Sequence, residues 1–338
     1  KYQRSEVFRL RVGGKPEPRA VFGLGTPGVS IAPAEIPFLG LTPDDRWALG
    51  LVINGVQREI TLYAAPAKAL ASGKPGWKKL FGAEAEITNF AYADGSLYLL
   101  SNQGAPRAQV LQASLDGFDL ARARVVVPAS ERVITGLATA QDALYIETRD
   151  GNVKRLYKRA YAPDAQVVEV ALPVQGSFAL NEDESNIGAA NPDLPGLVLD
   201  LQGWNRARQI YLVAADGGVT NTGLQPQGPY DAPADVIATE VKVPSYDGAL
   251  VPMSIIHKKG VALDGNNPTL LYGYGSYGMT EEPFYSISRL AWLDAGGVYA
   301  IANPRGSGVY GRDWYKGGFQ STKPNTWKDF IACAEYLI

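Results

Sequence analysis

The sequence has 338 residues, 46% of them hydrophobic, and a formal net charge of −2 with acids and bases interspersed. That is material for one large or two ordinary domains, with no basic stripe for nucleic acid and no apolar run long enough to span a membrane. The single cysteine, Cys333, rules out an intrachain disulfide, and one cysteine beside one histidine, His257, argues against a zinc site of the usual His/Cys type.

Glycine and proline are abundant, at 37 and 23, and helical patterns are scarce before residue 325, so many short strands joined by turns are expected. "SEVFRLRV" at the start reads as the middle of a repeat. Three similar units follow: "TPDDRWALGLVINGVQREITLYAAP" from residue 42, "YADGSLYLLSNQGAPRAQVLQASL" from 92 and "AQDALYIETRDGNVKRLYKRAY" from 140. Each has an Asp-bearing turn (Asp45, Asp94, Asp142), an alternating apolar strand, a polar turn and a second alternating strand. The aspartates lie 49 and 48 residues apart. A weaker copy starts near Asp183 and leads to "LPGLVLDLQGWNRARQIYLVAADGG". Units of about 40–50 residues with several short strands each are the signature of β-propeller blades, whose sheets bury both faces by stacking on neighbours. About four to five blades fit residues 1–235, as an open arc, so the N-terminal end is expected to be internal to a longer array. The bland alternative is an irregular β-sandwich.

The texture changes after "YDAPADV". "ATEVKVPSYDGALVPMSIIHKK" reads as a hairpin turning at Asp247-Gly248. "PTLLYGYG" and "GGVYAIANPRGSG" are continuous apolar runs ending in glycines, the form of buried central strands. "NTWKDFIACAEYLI" predicts a helix capped by Asn325 or Thr326, with Phe330, Ile331, Ala334, Leu337 and Ile338 on one face. A strand pair and half a helical layer cannot close a core alone, so the C-terminal end is also expected to be internal. The chain begins at Lys1 with no signal-peptide pattern, which leaves the compartment, cytoplasmic or periplasmic, open.

"GYGSYG" (273–278) is one residue away from the Gly-x-Ser-x-Gly turn that carries hydrolase nucleophiles. Ser276 is a poor candidate. The one histidine precedes it, Tyr274 replaces the first glycine of the tight turn, and Pro283 interrupts any helix that would follow. Read from pattern alone, Tyr272, Tyr274 and Tyr277 are as easily rim aromatics that cap the core.

Four stretches in this order, "VPSYDGALVPMSIIHKKG", "LDGNNPTLLYGYGSYG", "SISRLAWLDAGGVYAIANPRGSGVYGRDWYKGG" and "NTWKDFIACAEYLI", resemble the start of the catalytic domain of the prolyl oligopeptidase family of serine peptidases. The upstream repeats resemble the later blades of that family's seven-bladed propeller, by spacing and position more than by identity. The fold implied is a partial seven-bladed β-propeller over residues 1–235, then the first part of an α/β-hydrolase domain over 236–338. The family hydrolyses short peptides, admitted by the propeller, and uses no metal or other cofactor. Its triad serine lies in a Gly-Gly-Ser-x-Gly-Gly turn beyond the segment resembling "AEYLI", with the acid and the histidine further on. None of the three falls within residues 1–338, so this stretch by itself is expected to be inactive without the remainder of both domains; the complete enzyme is expected to be a soluble monomer.

The resemblance also implies roles. Tyr274 matches the tyrosine whose hydroxyl serves the oxyanion hole, flanked by Gly273 and Gly275, which allow a sharp turn at a strand's C-terminal end. Tyr277 matches an aromatic lining the pocket for the residue before the scissile bond. "NPRGSGVYGRDW" resembles the family's Arg-Gly-Gly-Gly-Glu-Tyr-Gly loop, with Ser307 and Val309 in place of Gly and Glu. There Arg305 either braces the loop through a carboxylate or is a solvated surface arginine, while Trp314 and Tyr315 read as packing residues. The "NGVQRE" turn, 54–59, is aligned loosely with a cavity-facing turn. "GYGSYG" is also close to the form in oligopeptidase B, which cleaves after basic residues, while "IHKKG" with "EYLI" leans to the prolyl branch. A non-catalytic propeller binding module and an esterase remain alternatives.

Overall fold

A computed structural model describes residues 3–13, 17–180 and 189–338. They divide into two compact units, one of residues 1–105 and 109–128 and one of 106–108 and 129–338.

The first unit is antiparallel throughout. β1 (Glu6–Arg9) pairs with β2 (Arg19–Gly23). Two four-stranded meanders follow: β3 (Ile36–Leu41), β4 (Trp47–Ile53), β5 (Thr61–Pro66) and β6 (Lys78–Phe81); then β7 (Ile87–Ala93), β8 (Ser96–Ser101), β9 (Gln109–Ser114) and β10 (Arg124–Val127). One of the repeated aspartates, Asp94, sits in a two-residue turn. Ala93 pairs with Ser96 across Asp94-Gly95, both with positive φ (46° and 74°), the backbone that two-residue hairpins demand and that Asp-Gly supplies. Asp44 accepts from Tyr92 Oη at 2.7 Å, tying one meander to the next. Between them Leu62, Ile87, Leu97 and Leu99 are fully buried.

The second unit opens with two more meanders: β11 (Val133–Thr139), β12 (Ala143–Asp150), β13 (Val153–Ala160) and β14 (Val167–Val170); then β15 (Ala189–Ala190), β16 (Leu197–Gly203), β17 (Arg206–Val213) and β18 (Val219–Asn221). Along β12 both faces are buried, as a stacked blade requires; Tyr145 and Leu156 on one face pack with Leu199 and Val213 of the next sheet. Asp142 links the two sheets, accepting from Tyr145 Oη (3.0 Å) and Gly196 N (2.7 Å). The repeat start at Asp183 lies outside the described residues. These are propeller-type sheets, and the fold then changes to an α/β arrangement.

That part is a mixed sheet, ordered β19-β20-β22-β21: β19 (Val236–Pro244), β20 (Leu250–Lys258), β21 (Thr269–Tyr272) and β22 (Val298–Ala302). β21 and β22 are parallel; the other pairs are antiparallel. The hairpin turns at Gly248, φ 85°, as its Asp-Gly pair predicts. Helices α1 (Ile287–Asp294), α2 (Arg312–Lys316) and α3 (Pro324–Tyr336) flank the sheet, with Val251, Met253, Ala300, Ala302 and Cys333 at its core.

Three expectations need correction. β21 is an edge of the described sheet, with Leu270 and Tyr272 exposed, because only β22 pairs with it. α1 was not anticipated. α3 begins at Pro324, a residue suited to a first helical turn, with Lys323 as the flanking residue in place of Asn325 or Thr326. Its buried residues are Thr326, Asp329 and Cys333; Phe330 and Leu337 pack on the sheet's core as expected, while Ile331 and Ile338 are exposed, because part of the inward face, Thr326 and Asp329, serves the neighbouring loops.

Charged and aromatic contacts join the propeller-type sheets of this unit to its α/β part. Glu282 receives Arg149 Nη2 and Lys154 Nζ, each at 2.9 Å, and Lys154 also meets Glu147 at 3.0 Å. Asn152 donates to Ser254 at 2.6 Å. The Arg289 guanidinium of α1 lies over three rings, Trp204 at 5.3 Å and Phe284 and Tyr299 at 4.6 Å each.

Candidate active site

Parallel β21 and β22 end at the same edge of the sheet, where α/β proteins build sites, and each runs into a glycine-containing loop. The β21 loop carries Tyr274 and Tyr277, both well exposed at 43% and 53%, their rings stacked with centroids 6.5 Å apart. Gly275 (φ 62°), Tyr277 (54°) and Gly278 (66°) are all left-handed. For an aromatic residue that backbone is strained and persists only where the surroundings enforce it.

The enforcement is visible. Gly278 N donates to Gly306 O and Met279 N to Ser276 O, both at 3.0 Å. A Cβ on Gly275 would lie 2.5 Å from Thr326 Cγ2, and one on Gly306 would lie 2.1 Å from Gly275 O. The two loops therefore touch backbone to backbone. Gly273 is close against Ala302 and the Phe330 ring. From behind, Lys323 Nζ donates to Gly275 O at 2.5 Å and to Ser276 Oγ at 2.7 Å. Burial holds the Lys323 ammonium below its usual pKa.

Arg305 anchors the second loop. Its backbone N, Nε and Nη2 all donate to Asp329, at 2.9, 2.9 and 2.7 Å, and its Nη1 and Nη2 reach Asp247 at 2.6 and 3.1 Å. Asp329 is fully buried and also accepts from Ser245 Oγ at 2.6 Å. The hydrogen bonds to Asp329, then those to Asp247, hold the guanidinium above its usual pKa, and Arg305 holds the Asp247 carboxyl below its own. Thr326 Oγ1 closes the brace by donating to Arg305 O at 2.7 Å.

Tyr274, Tyr277, Gly273, Gly275 and Arg305 thus fall in one cluster of two loops. His257 does not join it. It is buried near the end of β20 with Nδ1 2.9 Å from Lys258 O, and Ser276 meets a lysine. Trp314 donates to Asn303 O, and Tyr315 lies against Phe319, both as packing residues. Ser307 and Val309 are buried. Turn 54–59 joins β4 to β5 in the first unit. Sequence reasoning missed the part played here by Lys323, Thr326, Asp329 and Gly306; the one available signal was the acid Asp329 directly before the apolar run Phe330–Ala334.

The profile of the prolyl oligopeptidase family matches residues 283–338, from the segment before α1 through α3. A prolyl endopeptidase of Elizabethkingia meningoseptica is 28% identical over 258 residues, covering 74% of this chain and 34% of that protein. One from Elizabethkingia miricola is 38% identical over 128 residues, 38% of this chain and 18% of that protein. The solved structure of a prolyl endopeptidase superposes over 99% of this chain with a TM-score of 0.82 at 26% identity. Residues 283–338 match the prolyl oligopeptidase family, and the chain as a whole shares the fold of the solved prolyl endopeptidase. The chain spans less than half the length of these relatives, 47% of the solved one. The family profile takes in Arg305, Lys323 and Asp329 but begins after Tyr274 and Tyr277. Prolyl oligopeptidase B from Galerina marginata, at 22% identity and a TM-score of 0.84, shares the fold. Among the described residues no helix is long and apolar enough to cross a membrane.

Proposed function

We propose that this chain is part of a serine oligopeptidase that cleaves short peptides after proline, with residues 1–235 as propeller and 236–338 as the first part of the catalytic domain. The Tyr274 hydroxyl donates to the oxyanion, Tyr277 walls the pocket for the residue before the scissile bond, and the Arg305 brace holds the loops. The triad is supplied by catalytic-domain sequence outside these residues.

The observation that carries this reading is the exposed Tyr274 at the C-terminal end of β21, on a loop locked from behind while its ring stays open in front. A phenol fixed there is a preorganised donor, worth far more to a developing oxyanion than a mobile one. Prolyl endopeptidases among the relatives support proline as the preferred residue.

The test is turnover by the full-length gene product of matched peptide anilides ending in proline, arginine or alanine. Preference for proline, with no turnover by residues 1–338 alone, is expected. Preference for arginine would overturn the specificity and favour cleavage after basic residues. Binding of peptides without turnover would favour a binding module.

A further inference from the structure

Lys323 stands where simple electrostatics would not put a lysine. It flanks the N-terminus of α3, where the helix dipole disfavours a cation. Its side chain is partly buried, and among the described residues no carboxylate lies within ion-pair distance. Its ammonium is spent instead on the β21 loop, on Gly275 O and Ser276 Oγ, 48 and 47 residues away in sequence. Thr326 Oγ1 reaches the same carbonyl at a longer 3.5 Å.

We propose that Lys323 is a positioning residue that fixes the peptide plane between Gly275 and Ser276 and thereby aims Tyr274 and Tyr277. This deepens, and rests on, the oxyanion role of Tyr274. The Gly275 carbonyl belongs to the residue directly after Tyr274, and the left-handed turn at Gly275 makes the direction of that carbonyl decisive for the chain on either side. An ammonium is well suited to the task. Its three donors can hold a carbonyl and a hydroxyl at once, and the charge strengthens both bonds. Ser276, unsuited to attack a substrate, acquires a part as the second acceptor.

The test compares Lys323→Met, Lys323→Arg, Tyr274→Phe and the Lys323→Met/Tyr274→Phe double variant in the full-length gene product, by kcat, KM and melting temperature. Misplacing a catalytic group by an ångström can cost up to about 10²-fold, so Lys323→Met is expected to lower kcat by about 10-fold or more, with KM changed less. The double variant should be scarcely slower than Tyr274→Phe alone, because the lysine acts through that hydroxyl. Lys323→Arg should recover part of the loss. Lys328→Met, which removes a charge from the same helix where it lies over Tyr246, should leave activity unchanged. If Lys323→Met does not fold, Ser276→Ala, which deletes one acceptor, takes its place in the same cycle. A silent Tyr274→Phe would sink the oxyanion reading and this proposal with it. A slow Tyr274→Phe with losses that simply multiply in the double variant would sink this proposal alone.

Discussion

Tyr274→Phe removes one oxygen and leaves a ring that can still stack on Tyr277. Folding should therefore be nearly unchanged, while loss of an oxyanion donor lowers kcat by about 10²–10³-fold, roughly 2.7–4 kcal/mol. The loss should appear equally in kcat/KM, because the bond forms in the transition state. A kcat within a few-fold of wild type would return Tyr274 to the role of rim aromatic. Tyr277→Ala makes the contrast. Removing a pocket wall should raise KM at least as much as it lowers kcat and blur the preference for proline; an effect on kcat alone would place Tyr277 elsewhere. The left-handed backbone at Tyr277 adds a reason for the residue to matter, since such strain is held only by surrounding contacts.

At the scale of elements, the brace of Asp247, Arg305 and Asp329 joins the β19–β20 turn, the β22 loop and α3. Because pairing lowers the folded-state pKa of Asp247, its contribution is complete above the ordinary value of 3.8 and is lost as pH falls through the lower folded value. Wild type should therefore lose its melting-temperature advantage over Asp247→Asn as pH drops below about 4, modestly because Asp247 is partly exposed. A gap that stays constant through that range would show that the pair contributes nothing. The strands were legible in the sequence because alternation and Asp-Gly turns are local signals. α1 was not, because Arg289 occupies its buried face and breaks the apolar period. The inward face of α3 was read only in part, Phe330 and Leu337 packing on the core as expected while Asp329 went unnoticed, for a related reason. Asp329 lies inside to hold Arg305, and no local pattern announces a partner 24 residues away. The tyrosine–glycine loop was legible as a candidate site from its run of aromatics and glycines, whereas Lys323 looks in sequence like any solvated lysine.

At the scale of the whole molecule, the second unit is held to its α/β part by charges with little access to water. Glu282 serves two cations, and Lys154 is almost fully buried. Glu282→Gln keeps the shape and removes the charge both cations share. An unsatisfied buried group costs about 1–3 kcal/mol and more when charged, but the Glu282 side chain is 23% exposed, so the lower part of that range is expected in denaturant unfolding. A variant as stable as wild type would show that water replaces the carboxylate without cost. The stack of Trp204 on Arg289 gives this junction an optical signature. Trp204 is buried in the apolar cluster with Ile256, Leu293 and Ile301, at the tip of the β16–β17 turn, while Arg289 rides on α1. Parting the blade from the helix would wet the indole and withdraw the guanidinium from its face together. Its emission would move to longer wavelength, and the difference spectrum between the protein and its Trp204→Phe variant would isolate that signal from the other five tryptophans. The seam carries its own fluorophore, positioned to report whether the junction is open or closed without any label being attached.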